Sequence, residues 1–164
     1  MGNVNRGKGF ENVIREAFER VPNTLVIRLP DPVQGYLGIR NICDFLIYNY
    51  PYQYCIECKS VHGNTLPLSN ITDNQRDGML EASKIMGVKA GVICWWVDRG
   101  VTKFIPIQTI VELKNLGYKS IGYNMGIPDY MAAESEYCLI PIQGRLKRVF
   151  FEYDMDQFFK EMET

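Results

Sequence analysis

The sequence predicts a mixed α/β layer fold in one domain spanning residues 1–164. Three observations predict it. Helical and strand periodicities alternate along the chain, helix, strands, helix, strands, helix, which is the order of a layered sheet with helices packed on it. A β-hairpin signal stands in the middle of the first strand group, at Phe45–Tyr48 and Tyr54–Lys59. With 46% hydrophobic residues in 164, the chain can bury one substantial core and is too short for two.

The first helix is expected over Gly9–Val21, where Phe10, Val13, Ile14, Ala17, Phe18 and Val21 keep the spacing of one apolar stripe. Glu11 lies about 100° from Phe10 around that helix. It is either a solvated glutamate or a third acid reaching a site on the sheet. Arg6 and Lys8, set among Gly7 and Gly9, are flexible cations ahead of a helix start, suited to a phosphate or to a frayed end.

Thr24–Leu29 reads as a strand, and Pro30–Gly38 as a loop leading to Asp44. In the hairpin, a loop symmetric about Tyr50-Pro51 makes paired positions sum to 101, so Asp44 stands opposite Glu57. Their Cβ atoms would then lie roughly 5 Å apart on one face. Facing like charges destabilise a sheet, and a divalent cation between them reverses the sign of the interaction. Lys59 follows Glu57 by two residues and projects from the same face. Two carboxylates beside an amine suit Mg²⁺, which takes few carboxylates and accepts phosphate oxygens, so the implied chemistry is phosphodiester hydrolysis. Asp31 sits in a Pro-Asp-Pro loop with no strand to aim it at Glu57, and Asp129 likewise follows a proline.

Cys55 and Cys58 fall on opposite faces of a strand and cannot close on one zinc ion; Cys43 is expected opposite Cys58 as a small buried pair. His62–Ser69 reads as irregular, with His62 an exposed loop residue. Thr72 with Gln75 makes a capping box for a helix running to about Met86 and closed by Gly87, with Met79, Leu80, Ala82, Ile85 and Met86 as its buried side. Gln75 is a capping residue on these grounds, although its place on that stripe turns it inward.

Gly91–Val97 and Val101–Ile107 are expected strands, joined by Asp98-Arg99-Gly100. A short helix over Gln108–Leu116 ends at Gly117, Tyr118–Tyr137 reads as loop, and Cys138–Ile142 as a strand followed by basic Arg145, Lys147 and Arg148. Asp154 caps the last helix, with Met155, Phe158, Phe159 and Met162 inside.

The formal net charge is −1, so a nucleic-acid surface has to be a local concentration of Lys and Arg. No apolar run approaches the ~18 residues of a membrane span, and Arg6 breaks the myristoylation pattern. Five cysteines without a framework fit a reducing compartment, which makes the Asn70-Ile71-Thr72 sequon idle. The expectation is a cytoplasmic protein without membrane contact.

Several short pieces in order carry a resemblance: Gly7-Lys8 with Phe10-Glu11, Asp44-Phe45, Glu57-Cys58-Lys59, Leu66-Pro67-Leu68 to Asn70, Asp73-Asn74-Gln75, Gly91-Val92-Ile93 and Lys119-Ser120-Ile121. Together they resemble the RecU-type Holliday junction resolvases, in a short phage-like form, of the PD-(D/E)xK nuclease superfamily. The resemblance implies a restriction-endonuclease-like fold, with a mixed central sheet flanked by helices. It implies Asp44 and Glu57 as Mg²⁺ ligands (Mn²⁺ substituting), Lys59 at the attacking water, and Glu11 and Gln75 as further active-site residues. Arg6, Lys8 and Arg76 would contact DNA phosphates, the partner would be a four-way DNA junction met by a homodimer, and a phage-encoded copy would work in a bacterial cytoplasm. The sequence departs from the family in two places. Val33–Asn41 leaves little room for the stalk that cellular members insert before the aspartate, and Ile42 and Cys43 replace hydroxyl residues there.

Overall fold

The computed structural model describes residues 6–31, 40–126 and 139–164. Its centre is a six-stranded mixed sheet in the order β1-β2-β3-β5-β6-β8. The strands are β1 (Thr24–Arg28), β2 (Phe45–Asn49), β3 (Tyr52–Val61), β5 (Val88–Trp96), β6 (Val101–Pro106) and β8 (Ile140–Pro141). All neighbours run antiparallel except β3 and β5, which are parallel. The connection between that pair carries β4 (Thr65–Pro67), a 3₁₀ turn and helix α2 (Asp73–Ser83). A crossover of this length is what parallel neighbours require.

Each face of the sheet has its own core. On one face α1 (Arg6–Glu19) and the last helix, α4 (Met155–Glu163), close over Phe45, Ile47, Tyr54, Ile56, Ile93, Trp95 and Phe104. The apolar stripe expected for α1 does this, through buried Phe10, Ile14, Ala17 and Phe18. On the other face α2 and α3 (Ile107–Asn115) cover Cys55, Ala90, Val92, Cys94, Trp96 and Ile105. β3 and β5 are nearly continuous apolar strands because both of their faces are buried. A sheet flanked by helices on both sides is thus the expected fold.

The hairpin register is the predicted one. Phe45 pairs with Ile56, Ile47 with Tyr54 and Asn49 with Tyr52, each pair summing to 101. Both capping predictions hold: Thr72 and Gln75 exchange their hydrogen bonds, and Asp154 accepts from the Gln157 amide.

Other expectations need correction. α2 stops at Ser83, and Ile85 and Met86 are 63% and 99% exposed, because the chain turns through Gly87 at φ +82° to start β5 early. Only Met79 of the expected stripe is fully buried. Residues 62–69 are not irregular throughout, since β4 pairs with β7 (Ser120–Gly122) inside the segment expected to be loop. A second ribbon, β9 (Gly144–Leu146) with β10 (Phe151–Tyr153), holds the basic cluster. Cys43 lies against Cys55 on the α2 side, whereas Cys58 belongs to the opposite core. The reason is that Cys43 precedes the strand and folds back, donating to the Phe45 carbonyl at 3.3 Å, so strand alternation does not govern it. Asp129 and Cys138 lie outside the described residues. Among the described residues no helix is long and apolar enough to cross a membrane.

Candidate functional site

Three elements meet at the start of β2. Asp44 is tied into the hairpin end by its backbone, its N–H donating to the Ile56 carbonyl at 3.0 Å and its carbonyl accepting from Leu29 N–H at 2.8 Å. Its side chain accepts from the Cys58 N–H through Oδ2 at 2.8 Å. Glu57 points to the face that α2 covers and is only 4% exposed. The Lys59 Nζ, two residues on and therefore on the same side, lies 2.9 Å from Glu57 Oε1.

α2 supplies the fourth group. Gln75 Nε2 donates to Glu57 Oε1 at 2.8 Å, while Gln75 Oε1 accepts from the Thr72 N–H at 3.0 Å. One side chain thus closes the capping box and holds the acid, so the capping reading and the inward reading of the sequence are both correct. Asn74 fixes the approach to Asp44 by donating to the Asn41 carbonyl at 3.2 Å.

The two acids feel one another. Burial first, then the negative charge of Glu57, pushes the Asp44 carboxyl up to about 7, against the opposing pull of the Cys58 amide and Lys59. Glu57 is also raised, by burial above all, with Lys59 holding it back. Removing two carboxylates from water side by side costs free energy that the hairpin does not need to incur for its own stability. A cation changes that sum.

Glu11, on α1, does not join the pair directly. Its carboxylate takes Arg28 Nη2 at 2.9 Å, and its negative charge reaches both acids, raising Asp44 and Glu57. Arg28 was not singled out from sequence, although a signal existed: alternation along β1 sets it on the inward face with Val26, where a cation needs an acid. Asp31, set aside on sequence grounds, lies 3.8 Å from Arg28 and lines the same cleft of about 390 Å³ as Asp44, Glu57, Asn74 and Gln75.

The expected cations are spread more widely. Arg76 is held by Asp73 at 2.8 Å and Asp77 at 3.0 Å, on α2. Arg6 and Lys8, expected as flexible cations ahead of the helix, are instead part of it, because α1 begins at Arg6; both are exposed, Arg6 against His62.

The donor set fits a small hard dication. The acids are oxygen ligands, Glu57 buried and Asp44 half-buried, close enough that the Glu57 charge raises Asp44 while a hydrogen bond from Asp44 steadies Glu57, and each has one oxygen engaged by a further protein donor. Among the described residues no cluster of three His, Cys, Asp or Glu side chains forms. A bound ion would therefore complete its shell with water or substrate, as Mg²⁺ commonly does.

No protein-family model matches this sequence, and no curated protein does. Among solved structures the chain is similar to that of Hjc, a Holliday junction resolvase from the archaeal hyperthermophile Archaeoglobus fulgidus. The two are 19% identical, the match covers 63% of this chain and 77% of that one, and the TM-score is 0.44.

Proposed function

We propose that this protein is a Mg²⁺-dependent endodeoxyribonuclease of branched DNA that resolves four-way junctions by paired symmetric nicks in recombination and repair. One observation carries the reading: two acids, Asp44 and Glu57, repel one another in a half-closed cleft with the Lys59 amine on the same face. The resemblance of its motifs to the RecU-type resolvases supports the choice of substrate.

Asp44 and Glu57 would hold the metal, which supplies a Lewis acid for phosphodiester hydrolysis and offsets charge on the phosphate. The chain's own groups set the geometry. The Cys58 amide and Gln75 fix the two carboxylates, so little reorganisation is needed when substrate arrives. Lys59 sits where it orients the attacking water and balances charge developing on the phosphoryl oxygens. Arg6, Lys8 and Arg76 meet backbone phosphates, Arg76 by exchanging Asp73 or Asp77 for DNA. A junction has two-fold symmetry and needs two cuts, so the working form is a C2 homodimer.

The test is cleavage of a synthetic four-way junction and of linear duplex with the same sequences, in Mg²⁺ and in Mn²⁺. Faster cutting of the junction, lost in Asp44→Asn while junction binding persists, is the expected result. Equal rates on the two DNAs would remove the junction claim, and nicking that survives Asp44→Asn would remove the mechanism.

A further inference from the structure

Beyond the acidic site, a second cleft of about 200 Å³ opens between the start of α1 and the β9–β10 ribbon. Trp95 and Val97 floor it, Phe151 and the exposed Leu146 and Val149 form one wall, and Arg6 stands at its mouth. Leu146 is 62% and Val149 51% exposed, although the ribbon that presents them is otherwise basic, with Arg145 and Arg148 in solvent and Lys147 paired to Glu152 at 3.2 Å. Trp95 is 97% buried and closes the bottom of the cleft.

Arg6 is held in place. Asp98 accepts from the Gly63 amide at 2.6 Å and from His62 Nδ1 at 3.0 Å. A guanidinium only donates, so the His62 Nε2, 3.2 Å from Arg6 Nη1, is the acceptor, and the Nδ1–H tautomer is the one that serves both contacts. The Asp98–His62 relay therefore holds one Arg6 nitrogen while the residue stays exposed. Arg6 lies about 7.5 Å along α1 from Glu11, whose charge reaches the acidic pair.

We infer that this cleft takes an unpaired nucleotide of DNA, its base among Leu146, Val149 and Phe151 above Trp95 and its phosphate on Arg6. Cations around an apolar slot match a strand that alternates planar bases with phosphates. The inference rests on the nuclease reading for its substrate, and it adds a contact for DNA that is unpaired beside a duplex, as at a gap or a flap.

The experiment compares binding, in EDTA, of a duplex carrying a two-nucleotide gap with the same duplex intact. Intrinsic fluorescence is the second readout, since the protein has two tryptophans and Trp96 is sealed in the opposite core. The wild type is expected to prefer the gapped duplex about tenfold, with quenching of Trp95. Leu146→Ser with Val149→Ser, both at exposed positions, is expected to erase preference and quenching. Arg6→Gln is expected to lower the slope of log affinity against log salt by about one contact. No preference in the wild type, or an undiminished preference in the double variant, overturns the cleft even if Mg²⁺-dependent nicking is intact. Preference that is lost in the double variant, in a protein that never nicks DNA, upholds the cleft and removes the nuclease.

Discussion

At the scale of single residues, Asp44 is where a proton would compete with the proposed metal. Its ordinary carboxyl pKa is 3.8, and in the folded protein it is about 7. The folded state thus binds a proton more readily than the unfolded chain does. Its contribution to stability is fully present below about pH 4, falls as pH rises, and is gone above 7. Mg²⁺ binding must expel that proton, so added Mg²⁺ should raise the melting temperature at pH 8 and leave it unchanged at pH 5.5. Asp44→Asn should melt higher than the metal-free wild type at pH 8 and ignore Mg²⁺. A Mg²⁺ shift in that variant would show that the ion binds elsewhere. Gln75 gives a second prediction. Gln75→Glu keeps an acceptor for the Thr72 amide but cannot donate to Glu57, so helix content should hold while nicking drops roughly 10- to 100-fold. Asp44, Glu57 and Lys59 were legible because a two-residue period fixes faces from a register. Arg28 and the Cys43–Cys55 contact were not, because each depends on a tertiary neighbour that local spacing does not encode.

Among the elements, the hairpin and the helix caps were readable, since turn chemistry and side-chain periodicity act within a few residues. β4, β7 and β10 were not, because each is three residues long and exists only through its partner strand. The end of α2 was misjudged for a related reason: an apolar stripe says what could be buried, and Ile85 and Met86 meet no surface that buries them. Within α2, Gly78 matters through its missing side chain. A Cβ there would stand 2.2 Å from Ile42 Cγ2, in the segment that delivers Asp44. Gly78→Ala should therefore push helix and loop apart, costing ~1–3 kcal/mol by denaturant unfolding and loosening Gln75 from Glu57. Rescue by Ile42→Gly, which removes both Cγ2 and the Cβ that would stand 2.8 Å away, would identify the clash as the cause; a double variant no better than the single one would refute it. Thr72→Ala removes only the cap and should cost ~1 kcal/mol.

For the whole molecule, a net charge of −1 means that DNA is not attracted everywhere, so the proposed binding has to be local to separate groups of Lys and Arg. One chain presents one Asp44–Glu57 site, whereas a four-way junction must be cut twice to be resolved. The two cuts can be tied together only if two copies sit on the junction at once, related by its own two-fold axis. A cruciform extruded from a supercoiled plasmid tells these cases apart. The first nick releases the supercoiling that holds the cruciform open, and the arms then reabsorb. Linear plasmid can form only when the second nick falls before the first complex dissociates. A homodimer should therefore yield linear DNA from the earliest time points, at protein concentrations where nicked circles stay scarce. Mixing wild type with Asp44→Asn protein should convert the product to nicked circles in proportion to the mixed dimers formed. Nicked circles from the wild type alone, at every concentration, would mean that each chain cuts independently and that the paired-cut reading fails.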